Sequence, residues 1–336
     1  MIKTVVKSIT ALSIAVITII FFLLGVVLYF NAPNSYHKDD KKFLVESGLT
    51  LREVVEKLHK EKIVKNPNAF LYLGQIIKGI DPKVRYGEYF FEKNTSYYKI
   101  LHKMVGGNIF FRKVTIAEGL SNHSAYEIIN NAPGLIGEMP ELSKDNEGVI
   151  LPETYFYSYN DSKKFLVNRM KEQMSHAVDS LWPSRDKSIP IKTKEEAVIL
   201  ASIVEKETGV FSERPYVASV FINRLRKGMK LQSDPTIIYS YAFGDKSLER
   251  PIRSSDIRNK SPYNTYHIYG LPPQPICNPG IDSLKAVLNP VETDYLYFVA
   301  SGYGDHVFSS NLLDHNKNVM KYRKIMREKQ KRGLVE

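Results

Sequence analysis

One cysteine, Cys277, occurs in 336 residues, so the chain cannot close an internal disulfide and has no cysteine framework for zinc. The eight histidines are scattered and form no HExxH. No metal and no cofactor is therefore expected. The formal charge is +11, but the basic residues form no aromatic-interleaved stripe, which argues against nucleic acid as a partner. A positive balance of this kind suits anionic polymers or lipid headgroups instead.

Charge is missing altogether from one run, Ala11 to Phe30. About twenty helical residues span roughly 30 Å, the thickness of a bilayer core. Lys3 and Lys7 precede the run, which favours a cytoplasmic N-terminus. It ends Leu28-Tyr29-Phe30-Asn31-Ala32-Pro33, without the small-residue cleavage site of a signal peptide. The expectation is an uncleaved single-pass anchor, with everything beyond about residue 35 across the membrane.

The rest is ordinary globular material, 43% hydrophobic and 25% charged. Its patterning predicts an α+β chain: residues 1–34 as N-terminus and anchor, 35–108 as a small module, 109–189 as a second segment with a hinge, and 190–336 as the working domain. After a polar linker, Asn31 to Lys42, the module reads strand, helix, helix, strand. Its strands are Phe43–Val45 and Val84–Phe91, its helices start at Thr50 and Pro67, and a further helix runs from Ser96 to Gly106-Gly107. A strand over Phe110–Ile116 and helices from Ser121 and over Phe165–Trp182 lead to a hinge at Pro183–Pro190. Beyond these come a surface loop or hairpin over Phe243–Ser261, a short helix capped by Asp282, a β-hairpin (Tyr295–Ala300 with His306–Ser309) and a basic helix from Asn311.

Everything is organised around Thr193 to Thr236. Thr193 and Glu196 form a capping box, and Ala197 to Val204 is apolar on every side except Ser202, so this helix belongs in the core. Glu205, Lys206 and Glu207 follow at once, with Gly209 as the expected stop. The two glutamates are two residues apart and point to roughly opposite sides. Glu205 continues a face of small side chains with Ala197, Ala201 and Ser202, whereas Glu207 continues a bulky face with Leu200, Ile203 and Val204. A carboxyl at the edge of an apolar helix has its pKa raised by desolvation and can donate a proton near neutral pH. The residues leave a second reading open: Glu205 pairs with Arg214 or Arg224 and merely closes the helix.

In order along the chain, ASIVEKET, SVFINRL, LQSDPT, YNTY, GLPP, NPG and DSLKA resemble the endolytic murein transglycosylases, the MltG or YceG-like proteins of bacteria. The likeness runs over almost the whole chain. It implies an anchor in the inner (cytoplasmic) membrane, a LysM-like module and a peptidoglycan-cleaving domain with Glu205 as sole acid/base. The implied reaction cuts between N-acetylmuramic acid and N-acetylglucosamine without water, closing a 1,6-anhydro ring and ending strand growth.

Around Glu205, the candidates for sugar hydroxyls and N-acetyl groups are Ser202, Asn223, Gln232, Asp234 and Thr236. Tyr263, Asn264 and Tyr266 are the expected opposing wall, their alternative being loop packing. Partners implied are peptidoglycan strands and cell-wall synthases. Two other functions stay open: a hydrolytic muramidase, for which Glu153 is the nominated second carboxylate, and a non-catalytic scaffold for the synthases.

Overall fold

The computed structural model describes residues 2–78, 83–140, 146–242 and 250–333. They form two compact units, Met1–Arg112 and Lys113–Glu336. The first begins with α1 (Ile2–Asn31), whose stretch Lys7–Asn31 is long and apolar enough to cross a membrane. Then come β1 (Lys41–Val45), α2 (Leu51–Lys60), α3 (Pro67–Lys78), β2 (Gly87–Phe91) and α4 (Tyr97–Gly106).

β1 and β2 pair antiparallel with Phe43 opposite Tyr89. Their period-2 inner faces and the apolar stripes of α2 and α4 close one core containing Phe43, Val55, Leu58, Tyr89, Phe91 and Ile100. The ends are set locally. Thr50 and Glu53 make a capping box at α2, Ser96 caps α4, and Gly107 stops it at φ 71°. Glu88, buried on β2, is neutralised by a two-pronged pair with Arg112, both bonds 2.8 Å.

The expected linker is instead folded onto the module. His37 is fully buried, Asn34 N–H donates to the Asn94 carbonyl (3.0 Å), and Asn94 N–H donates to the His37 carbonyl (2.7 Å). Phe30, at the end of α1, lies in the same core.

In the second unit, β3 (Arg112–Thr115) pairs with β4 (Thr154–Tyr157), and α5 (Asn122–Asn130) and α6 (Lys163–Leu181) pack on them. The first half of α6 serves this small core. Its second half, through Met174 and Val178, serves a larger one built on α7 (Lys194–Glu207), α8 (Arg214–Arg226) and α11 (Ile281–Leu288). The segment expected as a hinge is pinned to that core: Ile189 and Ile191 are buried, and Asp186 N–H donates to the Leu288 carbonyl at 2.9 Å.

The remaining elements are α9 (Asp234–Ala242), α10 (Ser254–Ile257), the antiparallel hairpin β5 (Tyr297–Ala300) and β6 (His306–Ser309), and α12 (Leu312–Lys331). Of the loop or hairpin expected over 243–261, residues 243–249 lie outside the described residues, and the rest contains α10.

Two helix ends differ from expectation. α7 stops because Thr208 turns to extended backbone (φ −140°, ψ 131°) and its hydroxyl accepts from Val210 N–H, so Gly209 has no left-handed role. α11 is capped by Gly280 rather than Asp282. A Cβ at position 280 would sit 1.8 Å from Glu118 Oε1, so a larger residue there would have to displace that side chain.

Candidate active site

The buried helix α7 carries its two glutamates into different surroundings. The Glu205 side chain is only 5% exposed, and both carboxylate oxygens are bonded: Oε1 accepts from Arg214 Nη2 (2.9 Å) and Oε2 from the Gly280 backbone N–H (3.0 Å). Arg214, equally buried, also binds Glu118 at 2.9 Å and lies over the Phe211 ring at 4.3 Å. The Ser283 hydroxyl faces the Glu205 carboxylate without closing a hydrogen bond of normal geometry. Burial raises the Glu205 pKa, against the Gly280 N–H, Ser283 and Arg214, which lower it. This is the ion pair with Arg214 that the sequence left open.

Glu207 is different. It lines a cavity of about 360 Å³ together with Arg224, Gln232, Asp234, Tyr266, Tyr297, His315 and Asn316. Its Oε1 accepts a hydrogen bond from the Ser233 hydroxyl at 2.5 Å. Burial in the cavity wall pushes its pKa up to about 7, opposed by Ser233 and Arg224 and helped by the negative Asp234. A carboxyl poised near neutrality in a cleft is the usual signature of an acid/base group.

Around it the walls are rigidly held. Arg224, from α8, donates to the Leu231 and Leu296 carbonyls (2.6 and 2.7 Å) and sits 5.3 Å over the Tyr297 ring. His315 stacks on Tyr297, centroids 5.2 Å apart. Burial, then Arg224, lowers its pKa. Tyr266 donates its hydroxyl to Asp234 Oδ1 at 2.6 Å, and burial followed by Asp234 pushes the phenol pKa up. Gln232 holds a left-handed backbone, φ 52°, costly for a residue with a side chain and common at functional sites. Its N–H donates to the Thr265 carbonyl at 3.2 Å.

Three of the eight expected binding residues, Gln232, Asp234 and Tyr266, thus meet around Glu207. The other five hold structure. Ser202 is fully buried, donating to the Ile199 carbonyl (2.7 Å) and accepting from Ile276 N–H (2.9 Å). Asn223 ties α8 to the Thr293 and Tyr295 carbonyls (2.8 and 3.1 Å). Thr236 bonds Ser233 and Thr265 inside the core, Tyr263 packs on Tyr239 at 4.9 Å, and Asn264 donates to the Asp256, Ile257 and Asn259 carbonyls. Glu153 is exposed beside β4 and does not line this cavity.

The cavity also gathers Glu207 and Arg224, which the sequence reading named without a binding role, and Tyr297, His315 and Asn316, which it did not single out. A signal existed for Glu207 alone: it shares the charged end of α7 with Glu205, on the opposite side.

Comparison with known proteins agrees with this architecture. The YceG-like family model matches residues 43–321. The endolytic murein transglycosylase of Bacillus subtilis (strain 168) is 30% identical over 308 residues, 83% of either chain. That of Streptococcus pneumoniae (strain R6) is 35% identical over 179 residues, which are 52% of this chain and 32% of that one. A crystal structure of a YceG-like protein from Listeria monocytogenes, 25% identical, superposes with a TM-score of 0.52 over 83% of this chain and 99% of its own. Matched by the family model over most of its length, the chain belongs to the YceG-like family.

Proposed function

We propose that this chain is a membrane-anchored lytic transglycosylase acting within peptidoglycan strands, and that Glu207, rather than Glu205, is its acid/base. The observation that carries the assignment is the Glu207 carboxyl: it opens on a cavity and has a pKa pushed up to about 7. At Glu205 each carboxylate oxygen already holds a partner, Arg214 on one and the Gly280 N–H on the other.

In this mechanism Glu207 protonates the glycosidic oxygen as its bond to C1 of N-acetylmuramic acid breaks. The resulting carboxylate takes the proton of the 6-hydroxyl as that oxygen bonds to C1. The ring closes, Glu207 ends protonated as it began, and no water is consumed. One group performs both transfers, so a pKa near neutral serves each. Tyr266, fixed through Asp234, and Gln232 furnish the adjoining walls. The strand, two helices and strand of the first unit, with antiparallel pairing, support its reading as a LysM-like glycan binder.

Peptidoglycan strands incubated with wild type, Glu207→Gln and Glu205→Gln, read by mass spectrometry, test the assignment. Anhydro-ended products from wild type and Glu205→Gln, but not Glu207→Gln, are expected. Loss with Glu205→Gln alone, in folded protein, returns the role to Glu205. Reducing ends would mean hydrolysis, with Asp234, the second carboxylate of the cavity, activating water. Inertness of all three with glycan binding retained would leave a scaffold.

A further inference from the structure

The end of α1 is built into the first unit rather than tethered to it. Phe30 belongs to the unit's core, Val26 packs against it, and Tyr29 meets Tyr97 of α4 edge to face at 6.3 Å. The apolar stretch Lys7–Asn31 has 25 residues, roughly 37 Å of helix, which exceeds a bilayer core of about 30 Å. A spanning α1 would bring its last turn to the headgroup layer. At that level lies a cavity of about 290 Å³, lined by Asn31 and Pro33 on one side and by Glu92, Lys93, Ser96, Lys99 and Lys103 among those on the other.

Lys103 donates to the Phe90 carbonyl at 3.0 Å, while the ammonium groups of Lys93 and Lys99 have no ion-pair partner among the described residues. Glu92 is the one carboxylate in the lining, so three cations face one anion. The turn that carries Lys93 is held in place, while Lys99 and Lys103 lie on α4. Asn94 takes the left-handed φ of 60° and is bonded to Asn34 and His37, and Lys93 N–H donates to Asp40 Oδ1 at 2.8 Å. A cationic pocket at the end of a membrane-spanning α1 has an anionic headgroup as its chemical complement.

We propose that this cavity binds the headgroup of an anionic phospholipid and so sets how the first unit meets the membrane surface. The inference rests on α1 spanning the membrane. Each lysine near an anionic surface contributes attraction worth a few-fold in affinity, so neutralising two should cost roughly thirtyfold.

The test uses the full chain in detergent, with an equimolar mixture of dioleoyl phosphatidylglycerol and dioleoyl phosphatidylcholine, read by native mass spectrometry. Wild type should retain phosphatidylglycerol over phosphatidylcholine. Lys93→Gln/Lys99→Gln should lose that preference, and Lys93→Arg/Lys99→Arg should keep it. No preference in wild type, or an unchanged preference in the glutamine variant, overturns the proposal. Displacement of the lipid by millimolar inorganic phosphate would make this a soluble-anion site and overturn it too. Membrane anchoring is read separately: extraction from membranes by alkaline carbonate, without detergent, would remove α1 as a span whatever the lipid result.

Discussion

Replacing Glu207 by glutamine should abolish cleavage and, at the same time, stabilise the folded protein in a pH-dependent way. The ordinary carboxyl pKa of 4.5 rises to about 7 in the fold, a difference equivalent to about 3 kcal/mol. Below pH 4.5 the group is protonated in both states and contributes its full share. As pH rises through 7 the unfolded chain releases the proton first, and the native state loses that amount. Above 7 both states are ionised and the loss is constant. A glutamine at this position does not titrate, so the stability of the variant relative to wild type should climb by about 3 kcal/mol between pH 4.5 and pH 7.5, then level off.

Trp182, the chain's one tryptophan, packs on the larger core beside Arg185, whose guanidinium lies 3.9 Å over its ring. Urea unfolding followed by its fluorescence at a series of pH values reports this unit directly. Parallel stability curves for the two proteins would refute the reasoning, because Glu207 would then ionise like an exposed carboxyl. Activity is the companion readout: loss of a positioned proton donor removes about 10²- to 10⁴-fold of rate.

Glu205→Gln should do the reverse, keeping turnover per folded molecule while lowering stability. Breaking a buried pair costs about 3–5 kcal/mol, and the remaining Arg214–Glu118 bond places the loss at the lower end in urea titrations. Gly280→Ala must push Glu118 off Arg214; its cost, about 1–3 kcal/mol, should vanish in a Glu118→Ala background, as a double-mutant cycle would measure. Asp234→Asn removes a negative charge that raises the Glu207 pKa, so the alkaline limb of the pH–rate profile should move to lower pH. An unmoved or raised limb would show that Glu207 is not the group being titrated.

Local rules made much of the chain legible in advance. The long apolar N-terminal helix followed from an uncharged run of bilayer length, the α7 start from the Thr193–Glu196 capping box, and the two-sided placement of Glu205 and Glu207 from helical geometry alone. The ordered motifs carried the family. What spacing could not decide was which glutamate faces open space. Small neighbours along the Glu205 face leave room for something to approach. In the fold that room is filled by Arg214 from α8 and by the backbone of Gly280, 75 residues away in sequence. The bulky face ending in Glu207 turns to a cleft because the Ser233–Asp234 turn, Tyr266 and α12 converge there from distant parts of the chain. Period and composition determine which face of a helix a residue occupies. What meets that face, and so whether a carboxyl is bound into an ion pair or left able to donate its proton, depends on long-range packing and only the tertiary structure decides it.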